Sequence, residues 1–74
     1  MKEFKTIEDI LEFAIMGEQE AIDFYTQLAN QAKSPAIAKV FLEYAEEEMK
    51  HKAKLVGIKE TGTFVMEETN VKDL

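Results

Sequence analysis

From Ile7 onward, apolar side chains recur in alternating steps of four and three: Ile7, Leu11, Ala14, Ala21, Tyr25, Leu28 and Ala32. Glu18 holds the one place in that row where another apolar residue is due. Steps of three and four keep side chains on one face of an α-helix. Sustained over this length, they predict a long helix packed at a shallow angle on others. A second row, Ile10, Phe13, Gly17 and Phe24, widens the apolar face, and Ile15 and Ile22 extend it further. A face this broad asks for more cover than one partner helix supplies. Thr6 stands where an N-cap belongs, with Glu8 and Asp9 in the first turn, where the helix dipole favours negative charge. Asp9, three residues after Thr6, resembles a shortened capping box.

Lys33-Ser34-Pro35 breaks the pattern. Ser34 suits an N-cap and Pro35 the first helical position, so a second helix is predicted from about Pro35 to Val56. Gly57 is the expected stop, with Lys50, Lys52 and Lys54 towards the negative end of the dipole. Its seam is Ile37, Phe41, Tyr44, Glu48, His51 and Leu55, and two of these, Glu48 and His51, do not suit a core. The chain is thus read as all-α. Residues 1–57 form an antiparallel two-helix hairpin, and residues 58–74 form an extended tail. In that tail Thr61-Gly62-Thr63 signals a turn and Phe64-Val65-Met66 reads as a short extended piece.

Composition narrows the means of stabilisation. The chain has 74 residues and no cysteine, so neither a disulfide nor a thiolate metal site can staple it. Oligomerisation, a metal held by oxygen and nitrogen, or both, remain. The net charge of -6 argues against nucleic acid and anionic membrane as partners. No apolar run approaches the ~20 residues of a membrane span, and Met1-Lys2-Glu3-Phe4-Lys5 lacks a signal peptide's apolar core. A cytoplasmic location is the expectation.

The three polar residues in the seams have a common explanation. A tight connection near Lys33 makes the helices antiparallel. Glu18 lies fifteen positions before Lys33 and Glu48 fifteen after it, so the two carboxylates should face each other. His51, three residues after Glu48, shares its helix face. Buried carboxylates are costly unless paired or bound to a metal. Two glutamates and an imidazole suit iron, manganese or zinc. One hairpin supplies two walls of a site, whereas two hairpins about a two-fold axis form a four-helix bundle. That bundle holds four glutamates and two histidines, and two divalent ions neutralise its four carboxylates. Metal is therefore expected to drive assembly. Set against this, an E-x-x-H is common on glutamate-rich helices, and Glu46-Glu47-Glu48 has the look of a solvated charge run. Only Glu48 of the three falls on the seam. Tyr25 and Tyr44 read as core residues, Glu20 as a surface or inter-subunit residue, and Met16, Met49 and Met66 as packing groups.

At Gly17-Glu18-Gln19-Glu20-Ala21-Ile22-Asp23-Phe24-Tyr25 and Ala45-Glu46-Glu47-Glu48-Met49-Lys50-His51-Lys52-Ala53-Lys54-Leu55 the chain resembles the rubrerythrin branch of the ferritin-like superfamily. It is also similar to the encapsulated ferritins, two-helix chains that complete a di-iron site across a dimer. Either resemblance implies a ferritin-like bundle in which Glu18, Glu48 and His51 are iron ligands. Glu48 would bridge, and Glu18 and His51 would be terminal. The chain resembles the first half of a four-helix member, with Val71-Lys72-Asp73-Leu74 like the crossover to a third helix. It departs from the family in lacking the C-x-x-C pairs of a rubredoxin module, which implies an external electron donor. It also has Ala21 where some members carry a further glutamate.

The leading functional expectation is a di-iron carboxylate protein. It would bind two ions per homodimer, or higher homo-oligomer, and react with peroxide or oxygen as a peroxidase or ferroxidase. An iron-storage or encapsulated cargo protein is the alternative. A metal-free helical oligomerisation module is the second alternative.

Overall fold

The computed structural model describes residues 3–62. Two helices account for nearly all of them: α1 (Ile7–Gln31) and α2 (Pro35–Thr61). Both starts are capped as the sequence predicts. The Thr6 hydroxyl accepts from the Asp9 backbone N–H at 3.0 Å, and the Asp9 carboxylate accepts from the Lys5 N–H at 3.2 Å. The return bond thus reaches one residue further back than in a full capping box, which bonds the cap's own N–H. Ser34 caps α2 by accepting from the Ile37 N–H, with Pro35 in the first turn.

The helices lie antiparallel. Tyr25 meets Phe41 and Tyr44 near the connection, and Lys59 reaches Glu12 towards the open end. The α1 seam faces α2 as predicted: Leu11 is buried, and Ile7, Ala14, Glu18, Ala21, Tyr25, Leu28 and Ala32 are partly covered. Ile22 and Ala29 complete the buried positions of α1. The α2 face is turned from its expected seam. Its centre is Ala45, only 1% exposed, while Ile37 and Tyr44 stand about half exposed at the edge. Alanine contributes little to an apolar period, yet its small side chain lets two helices approach closely.

α2 also runs further than expected. Gly57 does not stop it; the helix continues to Thr61 and ends at Gly62, which adopts the left-handed conformation at φ 71° and donates its N–H to the Ile58 carbonyl. One interior glycine costs a helix only about 1 kcal/mol. The partly covered Leu55, Val56, Ile58 and Lys59 on either side of it hold the helix together. Residues 58–61, expected to open an extended tail, are therefore helical. Phe64-Val65-Met66 and the rest of that stretch lie outside the described residues. Among the described residues there is no strand, and no helix is long and apolar enough to cross a membrane.

The two glycines have opposite expected responses. A Cβ at Gly57 meets nothing within 4 Å, so Gly57→Ala should raise stability by about 1 kcal/mol. Gly62→Ala should lower it by about 1 kcal/mol, because an L side chain is strained at that φ. Urea unfolding of the two variants beside the parent checks both signs.

Among the described residues one broad apolar row stays largely exposed, although Phe13 within it packs on Phe4 at a centroid distance of 5.3 Å. Ile10, Phe13 and Phe24 on α1, with Gly17 between them, and Ile37, Val40 and Tyr44 on α2 are exposed. Helical spacing places both sets on the same side of the hairpin, where Phe24 packs against Tyr25 and Tyr25 against Tyr44. Met16 and Met49, expected to pack, are exposed on other faces, and Met66 lies outside the described residues.

Candidate metal centre

Halfway along the hairpin, at the edge of the exposed row, three side chains converge. Glu18 comes from α1; Glu48 and His51 come from α2, one turn apart. The His51 Nδ1 lies 3.0 Å from Glu48 Oε1 and 3.3 Å from Glu18 Oε2. One donor atom from each residue falls within 4.8 Å of the other two. Both glutamate side chains are 23% exposed, whereas His51 is 59% exposed. The carboxylates sit in the seam, and the imidazole closes over them from the open side.

These donors fit a metal. Donors bound to one ion at ~2.1 Å stand roughly 3.0–3.4 Å apart, and the two nitrogen–oxygen separations fall in that range. Two carboxylate oxygens and one imidazole nitrogen are a borderline donor set, suited to iron, manganese or zinc. Three donors leave coordination positions open, and the exposed imidazole marks the side on which they open. Without a metal, a single Nδ1 has two carboxylates to satisfy, and a protonated Nδ1 donates well to only one of them.

The other expected roles divide clearly. Glu46 and Glu47 project to solvent, where Glu47 pairs with Lys50 at 3.3 Å. Glu20 is exposed. Tyr25 and Tyr44 form an aromatic cluster with Phe41, next to the site on the side of the connection. Among the described residues neither hydroxyl bonds to Glu18, Glu48 or His51.

Sequence reasoning missed the polar clamp behind the site. Lys52 Nζ donates across the helices to Gln19 Oε1, and Gln19 Nε2 donates in turn to Asp23 Oδ1 at 2.9 Å. Lys59 and Glu12 form a second cross-helix pair at 3.2 Å. Gln19 adjoins Glu18 and Lys52 adjoins His51, so the clamp fixes the two ligand-bearing turns relative to each other. That adjacency in the chain is the one trace of it in the sequence. Lys52→Met keeps the aliphatic stem but removes the donor. It should lower hairpin stability by about 1 kcal/mol, measured by urea unfolding, and should weaken zinc binding in a parallel titration.

The description Rubrerythrin belongs to a family model that matches residues 9–72. No curated protein and no solved structure matches significantly. The matched span takes in all of α2, all but the first two residues of α1 and all three converging side chains, and members of this family typically bind iron. With a match over most of its length, the chain belongs to the rubrerythrin family.

Proposed function

We propose that this protein is a di-iron carboxylate protein that holds two iron ions across a homodimer and reacts with peroxide or oxygen. The observation that carries the reading is the convergence of Glu18, Glu48 and His51 at the edge of an exposed apolar row. In this reading the row is covered by a second hairpin, giving a ferritin-like four-helix bundle. Each chain brings two carboxylates and one imidazole, so the pair offers four carboxylates and two imidazoles, a set that two divalent ions neutralise. Glu18 and His51 hold the ions. Glu48 would be the carboxylate shared between the two ions, the role that the family resemblance implies. Ferrous iron, when bound, supplies the electrons that reduce peroxide or oxygen. The protein's own residues fix the donors, with the Tyr25, Phe41 and Tyr44 cluster packed beside them. In this reading an external electron donor re-reduces the site.

The test is anaerobic loading with Fe(II) followed by mixing with peroxide or with oxygen. Oxidation well above the rate in buffer, saturating at two irons per dimer, is the expected result. Oxidation that continues through many irons per dimer would move the reading to storage. Binding with no acceleration would end it.

A further inference from the structure

Among the described residues nothing in its own chain calls for a glycine at position 17. α1 passes through it in ordinary helical geometry, since among the described residues only Gly62 has a positive φ. A Cβ built on it meets nothing within 4 Å. Alanine there would favour the helix and displace no neighbour. Yet the residue is glycine, at a position that is exposed and next to a candidate ligand, Glu18. It also lies in the exposed row, between the half-exposed Phe13, which packs on Phe4, and Phe24, so the row dips at this point.

We infer that Gly17 is where a second copy of this chain makes its closest approach. The inference rests on the shared-site reading above and locates its tightest contact. In the shared-site reading the three donors of one hairpin are joined by donors from the facing hairpin at the height of Glu18. Backbones elsewhere along the row are held apart by phenylalanine and isoleucine. At the metal level they must come nearer, because interaxial distance is set by the side chains at the contact. Glycine removes the obstacle there. The occupant is a second copy because the surface next to the dip carries half of a metal site that the same sequence can complete.

The prediction is a pair of effects with opposite signs. Gly17→Ala should make the dilute, metal-free hairpin more helical and more resistant to urea. It should also raise the dimer dissociation constant about tenfold, because the methyl group enters a symmetric contact twice. Gly17→Leu should raise it further. Circular dichroism in urea reads the first effect; sedimentation equilibrium with and without Zn(II) reads the second. Gly57→Ala, off the exposed row, is the control and should stabilise the hairpin with no change in dimerisation. A Gly17→Ala dimer as tight as the parent, or tighter, would overturn the inference while leaving the shared site standing. A parent chain that stays monomeric with Zn(II) would instead remove the shared site, and this contact with it.

Discussion

Glu48→Ala is expected to abolish tight iron binding and, with it, iron-driven pairing of chains. Removing a residue that merely orients a ligand typically weakens a metal site 10–100-fold. Glu48 touches His51 directly at 3.0 Å, and in a dimer its loss deletes two donors at once. A drop in Fe(II) affinity of at least ~100-fold is therefore expected in an anaerobic titration. The metal-free hairpin should be unharmed or slightly more stable, because the change removes one of two partly buried carboxylates that face each other. That combination separates a ligand from a structural residue. Glu47→Ala, one position away but solvent-facing, should bind iron like the parent. If Glu48→Ala and Glu47→Ala bind iron equally well, Glu48 is not a ligand.

Phe24→Glu should have the second large effect, on assembly. Phe24 is 56% exposed in the hairpin, and its ring rests on Tyr25 at a centroid distance of 5.6 Å. Covering a phenylalanine contributes about 1.5–3 kcal/mol, and two-fold symmetry counts each position twice. Replacing it with a charge on a chain already at -6 adds repulsion and desolvation to the lost contact. Self-association should weaken by at least ~100-fold, read by size-exclusion chromatography with light scattering across a concentration series. Helix content at low concentration should persist, since Leu11, Ile22, Ala29 and Ala45, which form the buried interior, are untouched. Unchanged self-association would mean that another face joins the chains.

How far the sequence discloses this arrangement differs between the two helices. α1 is legible because its apolar residues follow one period and the exception, Glu18, is itself the signal. α2 is harder to read. Its contact face centres on Ala45, whose methyl group barely registers as apolar, while Glu48 and His51 interrupt the pattern at its edge. The end of α2 is misread because local rules take the first glycine, Gly57, as the stop. Contacts made by residues on both sides of it, including Lys59 with Glu12, carry the helix to the second, Gly62. The converging side chains were recoverable because ionisable groups in an apolar row demand a partner. Gln19 and Lys52 were not, because polar residues beside a seam look the same whether they bond across it or face water. That the row of Ile10, Phe13, Gly17 and Phe24 needs more cover than one helix follows from its breadth. Among the described residues Ile10, Phe13 and Phe24 of that row stay about half exposed.

The central claim is that two hairpins share one pair of metal ions. Native mass spectrometry of aerobically purified protein tests it most directly, with iron content determined on the same sample. The account predicts a dimer, or a multiple of one, carrying one iron per chain, and dissociation towards monomer when the iron is removed by a chelator. An iron-free species whose mass does not respond to added Fe(II) would contradict it. So would iron bound tightly to a single chain.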